Sequence, residues 1–362
     1  MRVVLSNASY KWGGVHVVTE TLARGLAERG HHVAVFCRPE SALEERLRGV
    51  AALEPILRGM DLSPAAMWRC ARALRKHQPD VVLTLMDKDV RLTAPVARVL
   101  GIPVVVRRAN DRPLKPRPHF RLLYGTIPAH HVANSRATRD TILRSAPWLS
   151  PAAVTVIHNG IDAGAYEAAA PADLGLPPGA LAIGFIGRFE ERKGMLDLAR
   201  AWPAIAAAVP EAHLVIAGKG PLEGDARAIL TAEPRVRWLG FRADVPNVLK
   251  SLDLLAVPSH WEGFGLIAAE GLAAGVPVVA ADASSLPEIV RDGVEGRLVP
   301  PRDPAALAEA LIALARDPAA RARMAAAGPA RVRSEFSIAR MLERYEAVLS
   351  TVAAGSPHAQ RP

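Results

Sequence analysis

Short apolar runs of five or six residues recur along this chain, and each is followed by a stretch with helical spacing. Arg2-Val3-Val4-Leu5-Ser6 reads as a buried strand. Gly13-Gly14 opens a helix with apolar positions Val17, Val18, Leu22 and Leu26, and Gly30 closes it. His32-Val33-Ala34-Val35-Phe36 is the next strand. A helix over 64–77 has Ser63 as N-cap and Pro64 in its first turn. Strands follow at 81–85, 103–106, 130–133 and 154–157. The second half repeats the pattern, with strands at 181–186, 213–217, 236–239, 253–257, 276–280 and 297–299. Its helices fall at 195–208, 222–230, 245–250, 266–274, 285–290, 304–315 and 318–335. Strands alternating with helices argue for parallel sheets with right-handed crossovers. The expected class is α/β, with two Rossmann-like domains facing a cleft and ligands at the carboxyl ends of the strands.

Length agrees: 362 residues favour two domains of ordinary size, and half of them are apolar, enough for two cores. The stretch EAAAPADLGLPPGA, within 161–180, reads as the linker between them. The tail from Gly355 reads as disordered. Two cysteines, Cys37 and Cys70, make no disulfide framework and lack metal-ligand spacing, so a reducing cytosol is expected. The first residues do not have the form of a signal peptide, and no uncharged apolar stretch has the roughly 18–20 residues of a membrane span.

The net charge of +9 is unevenly placed. Residues 1–160 carry 24 Lys/Arg against 12 Asp/Glu, whereas residues 161–362 carry 21 against 24. A compositional bias toward arginine would act on both halves. The basic first half is expected to meet something anionic: nucleic acid, a phospholipid surface or a charged glycan carrier.

The chemistry concentrates in residues 259–280, SHWEGFGLIAAEGLAAGVPVVA. Glu262 precedes a turn, Gly263-Phe264-Gly265, that leads into a helix at Leu266, with Glu270 eight positions after Glu262 on the first turns of that helix. Glu262 suits the hydroxyls of a sugar, and Glu270 suits ribose hydroxyls. The N–H groups of the turn and helix start suit phosphate oxygens. A second strand ends in Gly187-Arg188, with Lys193-Gly194 just after. An Arg fork and a Lys point charge at a strand end can hold a diphosphate and stabilise negative charge on a departing nucleotide. Ala217-Gly218-Lys219-Gly220 is a weaker nucleotide-loop signal and serves equally as a simple turn. Phe241 and Arg242, after Gly240, can pack against a base. Gly13-Gly14 lets backbone approach a phosphate.

Taken in order, GG at 13–14, ANS at 133–135, VIHNGID at 156–162, GRFEERKG at 187–194, AGKG at 217–220, GFRADV at 240–245 and the paired-glutamate segment resemble retaining glycosyltransferases of family 4. LPEIVRDGVEGRLVPPRDPAALAEAL at 286–311 is similar to that family's closing segment. The resemblance spans nearly the whole chain and implies the GT-B fold. It implies an acceptor-binding domain over 1–165, a nucleotide-sugar domain over 175–336 and a final helix, 337–352, crossing back to the first. Arg188 and Lys193 match the pair that grips the donor diphosphate. Glu270 matches the ribose carboxylate, Glu262 with the backbone of Gly263 to Leu266 matches the sugar and phosphate contacts, and Gly14 matches the loop opposite the diphosphate. The implied donor is a UDP- or GDP-sugar, the acceptor a glycan or lipid-linked molecule of cell-surface polysaccharide or lipopolysaccharide synthesis.

One departure stands out. Members commonly place a His near the reacting anomeric carbon. Here Val104-Val105-Val106-Arg107-Arg108-Ala109-Asn110-Asp111 contains none, leaving Asp111, Arg108 and Asn110 as polar candidates, with His16 and His119 elsewhere. Asp87-Lys88-Asp89 has the spacing that holds Mn²⁺ in another glycosyltransferase fold. It lies in the acceptor half, however, and Arg188 and Lys193 supply the charge a metal would bring, so neither metal nor cofactor is expected. Residues 107–121 hold six Lys/Arg, including Arg107, Arg108, Arg112, Lys115 and Arg117, and read as a basic loop at the cleft mouth. Helix 64–77 is read with Arg69, Arg72, Arg75 and Lys76 on one side and Met67, Trp68, Ala71 and Leu74 elsewhere. Both features suit an anionic acceptor or peripheral docking on the inner face of a cell membrane. Competing readings are a sugar-nucleotide epimerase of similar shape and a non-enzymatic binder of nucleic acid or an anionic surface. The binder lacks interleaved aromatics and any recognition-helix or zinc signature. A glycosidase using Glu262 and Glu270 is disfavoured, because Glu270 faces the nucleotide.

Overall fold

The computed structural model describes residues 1–10, 13–58, 63–115, 117–231 and 233–355; from residue 356 on, the tail expected to be disordered lies outside them. The chain divides into two compact units, Met1–Gly160 together with the segment from Ile338, and Ile161–Ser337.

The first unit is built on a parallel sheet of seven strands: β1 (Arg2–Ser6), β2 (His32–Phe36), β3 (Ala52–Glu54), β4 (Val81–Thr84), β5 (Val104–Arg108), β6 (His130–Ala133) and β7 (Val154–Val156). Their spatial order is β3-β2-β1-β4-β5-β6-β7. Every residue of β4 and β5 is buried, as expected of central parallel strands covered on both faces. Helices Pro64–His77 and Asp87–Val99 pack on one face with Val4, Val82 and Val104. The first helix, Gly14–Glu28, and the final helix, Ile338–Ala354, share the other face through Val18, Leu22, Leu26, Met341, Leu342 and Leu349. Gly25 lets them touch, because a Cβ there would collide with Leu342. Glu346 fastens the final helix by accepting from Arg29 and pairing with His31, both at 2.8 Å.

The second unit repeats the plan with six parallel strands: β8 (Leu181–Ile186), β9 (Ala212–Ala217), β10 (Val236–Gly240), β11 (Leu254–Val257), β12 (Val278–Ala281) and β13 (Gly296–Val299), in the order β10-β9-β8-β11-β12-β13. The order reverses between β8 and β11, which are neighbours. The loops leaving them diverge to opposite faces and open a crevice at their carboxyl ends.

Several expectations need correction. Residues 161–180 are no free linker: Ile161, Tyr166 and Leu174 are buried in the second unit's core. Asn247 and Ser251 also donate to the carbonyls of Ala170 and Ala172 at 2.8 and 2.9 Å. The division therefore falls after Gly160, ahead of the expected interval between 165 and 175. Arg107 and Arg108 do not belong to a basic loop; they close β5 and are buried. Asp87-Lys88-Asp89 is the first turn of helix Asp87–Val99. Trp68 stands on the same exposed face as Arg72, whose guanidinium lies 5.6 Å from its ring.

Asp89 is fully enclosed where β1 and β4 end, near Ser6 and Thr93, and accepts from the Met86 N–H at 2.9 Å. Burial raises its carboxyl from 3.8 to about 7, against the opposing hydrogen bonds of Met86, Ser6, Ala8 and Leu85. The native state therefore holds the proton more tightly than the unfolded chain, so this stabilisation is complete below pH 3.8 and is lost as pH rises through about 7. Thermal melts at pH 5 and pH 8 should show Asp89→Asn narrowing the wild-type loss in Tm; an unchanged difference would contradict the assignment.

Candidate functional site

Two loops meet at the point where the second sheet reverses. One leaves β8 through Gly187 and runs to Gly194, where helix Met195–Ala208 starts. The other leaves β11 at Pro258 and runs to Gly265, where helix Leu266–Ala273 starts. Gly194 has φ +68°, and a Cβ there would collide with the Pro258 carbonyl. Only glycine permits both the left-handed turn and this approach. His260 N–H donates to the Arg192 carbonyl at 2.8 Å, and the His260 ring pairs with Asp197 at 2.6 Å, behind the junction.

The charged groups condense around Glu262, which is only 5% exposed. Its Oε1 receives Lys193 Nζ and the Ser259 hydroxyl, the latter at 2.9 Å, and its Oε2 receives Arg192 Nη1 at 3.3 Å. Ser284 and Ser285 donate to its carbonyl at 2.6 and 3.1 Å. Arg188 points outward, with its side chain 63% exposed, and pairs with Glu190 at 2.9 Å. Arg188, Lys193 and Glu262 therefore share one corner, together with Arg192, Glu190 and Ser259, which sequence reasoning missed. The turn E-E-R-K carries too many like-looking charges for pattern alone to single out Arg192.

Helix Leu266–Ala273 begins at Gly265 with φ +84° and no side-chain cap on its first turn. Leu266 is its first residue. The Phe264 ring is buried against Phe336. Glu270 lies further along the helix, where burial raises its carboxyl, opposed by the Tyr166 hydroxyl and by the charge of Lys193. Burial, then the Glu270 charge, raise the Tyr166 phenol in turn. Tyr166 was missed because it lies just ahead of the stretch read as linker, in the interval where the boundary was expected. The glycines of 217–220 serve packing: a Cβ on Gly218 would strike the Gly187 carbonyl, and one on Gly220 the Phe189 backbone. Phe241 is 68% exposed just past β10, and Arg242 is forked onto Asp244 at 2.7 and 2.6 Å.

In the first unit the polar groups cluster at the ends of β4 and β5. Arg108 donates to Asp87 at 2.7 Å, to Asn110 at 3.3 Å and to the Arg112 carbonyl at 2.9 Å, with Tyr124 donating to Asp87 at 2.9 Å. Arg107 turns elsewhere, donating to Asn159 at 2.8 Å. Asp87 and Asp89 thus face different partners. Gly14 starts helix Gly14–Glu28 and Asp111 follows β5. His16 is buried, and burial lowers its pKa. His119, Arg112, Lys115 and Arg117 are exposed. Among the described residues no three His, Cys, Asp or Glu side chains are grouped to hold a metal ion, and no helix is long and apolar enough to cross a membrane.

Residues 12–164 match the family described as Glycosyltransferase Family 4, and residues 180–317 match Glycosyl transferases group 1. A D-inositol 3-phosphate glycosyltransferase of Mycobacterium avium is 36% identical over 350 residues, covering 85% of this chain and 81% of the relative. The chain belongs to glycosyltransferase family 4. A phosphatidyl-myo-inositol mannosyltransferase of Mycobacterium leprae is 29% identical over 359 residues, 94% of each chain. Among solved structures, Anabaena HepE in complex with UDP-glucose superposes with a TM-score of 0.83 at 22% identity, covering 96% of this chain and 99% of that one. The lipopolysaccharide outer core galactosyltransferase WaaB superposes with a TM-score of 0.73 at 17% identity, covering 96% and 99%. The fold is therefore GT-B, and the family 4 member described here is a glycosyltransferase.

Gly194 is the steric hinge of its loop junction. Gly194→Ala should lower unfolding stability by about 2 kcal/mol or more, since a left-handed non-glycine costs roughly 1–3 kcal/mol before any collision. Chemical denaturation checks this; a change below about 0.5 kcal/mol would show that the two loops can separate freely.

Proposed function

We propose that this protein is a retaining, metal-independent hexosyltransferase moving a sugar from a UDP- or GDP-sugar to a glycan or lipid-linked acceptor. The observation that carries the reading is the corner where Lys193, Arg188 and Glu262 meet beside the uncapped start of helix Leu266–Ala273. In it the donor diphosphate takes Arg188 and Lys193 as counter-charges and the first N–H groups of the helix as donors. Glu262, with backbone from Gly263 to Leu266, contacts the sugar. Glu270 accepts from the ribose, Phe241 packs on the base with Arg242 beside it, and Gly187 lets backbone approach the phosphates. As the sugar–phosphate bond breaks, charge grows on the leaving diphosphate, where the two cations stabilise it without a metal. The acceptor hydroxyl then attacks the anomeric carbon from the same face and passes its proton to the departing diphosphate, with no protein nucleophile. Asp111 is the candidate polar group of the acceptor side.

For the donor, the UDP-glucose bound in HepE supports a nucleotide sugar. For the acceptor, relatives named for inositol 3-phosphate and phosphatidyl-myo-inositol support an anionic or lipid-borne polyol. WaaB supports a cell-surface glycan in the same way. The basic first half fits an anionic acceptor or surface. Arg107 and Arg108 are too buried to face a membrane, so the docking face is assigned to Trp68, Arg72 and Arg75 with the exposed Arg112, Lys115 and Arg117. Lys76 is held by Glu54 at 2.6 Å and adds less. Each remaining cation near an anionic leaflet contributes about 1 kcal/mol. Such docking fits a cytoplasmic enzyme on the inner face of the cell membrane.

A thermal-shift panel of UDP-, GDP- and ADP-sugars should single out one base, since a ligand at 100 times its Kd stabilises by about 2.7 kcal/mol. Lys193→Ala and Glu270→Ala should each abolish transfer while the fold survives, Lys193→Ala with a lowered Tm because the buried Glu262 loses a partner, and EDTA should leave wild-type transfer intact. Near-normal turnover by either variant would sink the donor-site assignment, and an epimer formed from donor alone would favour the epimerase. Sedimentation with anionic vesicles should pull down wild type but not Trp68→Ala/Arg72→Glu/Arg75→Glu. Equal recovery of both would remove the membrane face from the account.

A further inference from the structure

Arg192 lies between the two loops of the second unit and touches each of them. Its Nε donates to Glu190 at 3.1 Å and its Nη1 to Glu262 Oε2 at 3.3 Å. The guanidinium lies over the Trp261 ring, 5.1 Å from the centroid, and its own carbonyl takes the His260 N–H at 2.8 Å. A planar fork can span two carboxylates and stack on an indole at once, which an ammonium cannot.

Glu262 has its two oxygens in different circumstances. Oε1 takes Lys193 and the Ser259 hydroxyl at close range, while Oε2 takes the longer bond from Arg192. A diphosphate entering the corner draws on Lys193, and the hold of Lys193 on Oε1 weakens as it is shared. Arg192 lies on the other oxygen and is held by Glu190 and Trp261.

We propose that Arg192, seated on Trp261, is a positioning residue that fixes the Glu262 carboxylate so that Oε2 presents its remaining lone pair to a hydroxyl of the donor sugar. The inference rests on the reading of Glu262 as the sugar-contacting group. It makes Arg192 a determinant of sugar binding rather than of nucleotide binding. Removing the fork leaves the diphosphate cations Arg188 and Lys193 in place but lets the carboxylate rotate, so the loss is confined to the sugar.

The test is calorimetric titration with two ligand pairs, UDP with UDP-glucose and GDP with GDP-mannose, using the pair that stabilises wild type in the thermal-shift panel. Wild type, Arg192→Gln, Arg192→Lys and Glu262→Gln are compared at matched Tm. Arg192→Gln should weaken the nucleotide sugar about tenfold or more, in the range of a lost hydrogen bond to a charged group, and leave the bare diphosphate within about twofold. Arg192→Lys should recover part of the loss, and Glu262→Gln should show the same selective defect. Equal weakening of both ligands would make Arg192 a phosphate contact and overturn the proposal, as would undiminished sugar-nucleotide binding. A selective defect in Glu262→Gln alone defeats only this inference; none in Glu262→Gln defeats the reading of Glu262, and the inference with it.

Discussion

The contact on which the site depends is backbone to backbone: Gly194 lying against the carbonyl of Pro258. Neighbouring parallel strands at a reversal point send their loops to opposite faces, which by itself opens a gap. The glycine closes the gap at one spot, and the side chains of the two loops then interlock across it. Lys193 and Arg192 from one loop reach Glu262 on the other, and His260 reaches back to Asp197. A cation pair and a carboxylate are thereby held at close range, with the carboxylate nearly out of water.

In the proposed enzyme that arrangement sets the energetics of donor binding. Glu262 would be costly to bury alone, and the two cations with the Ser259 hydroxyl compensate it. An incoming diphosphate brings two negative charges to a corner already containing two, Glu190 and Glu262. In the proposed enzyme it succeeds because Arg188 is outward and available, Lys193 can share, and the first turn of helix Leu266–Ala273 carries no competing side-chain cap. Arg192 then steadies the carboxylate that Lys193 shares with the phosphate. Glu270 makes its hydrogen bond to Tyr166 and feels Lys193 only through its charge, which in the proposed enzyme suits a group that reads hydroxyls.

The parallel architecture was legible because the strands are short apolar runs of fixed spacing, and the strand and helix positions of the second half fall within two residues of those observed. The closeness of Lys193 and Glu262 was legible because both flank glycines in the loops that leave β8 and β11. What escaped was tertiary. Tyr166 sits in an Ala/Pro-rich stretch with no periodicity, and only packing reveals it as part of the second core. Arg107 and Arg108 follow three valines, and nothing local says that β5 continues through them into the interior. Asp87-Lys88-Asp89 has the spacing of a metal motif, but a helix begins at its first residue and sends its two carboxylates to different partners. Strand β3 is three residues long and carries no pattern at all.

The central claim is that the donor diphosphate occupies the junction of the two loops in the second unit. A crystal structure of the full chain with the stabilising nucleotide sugar tests it most directly. The account predicts diphosphate density between Arg188, Lys193 and the first N–H groups of helix Leu266–Ala273, with Lys193 shared between phosphate and Glu262 and the sugar at Glu262 Oε2. Density for the nucleotide in the groove at the amino ends of β1 and β2, lined by Arg2, His31, His32 and His77, would contradict it, as would density anywhere that leaves the junction undisturbed.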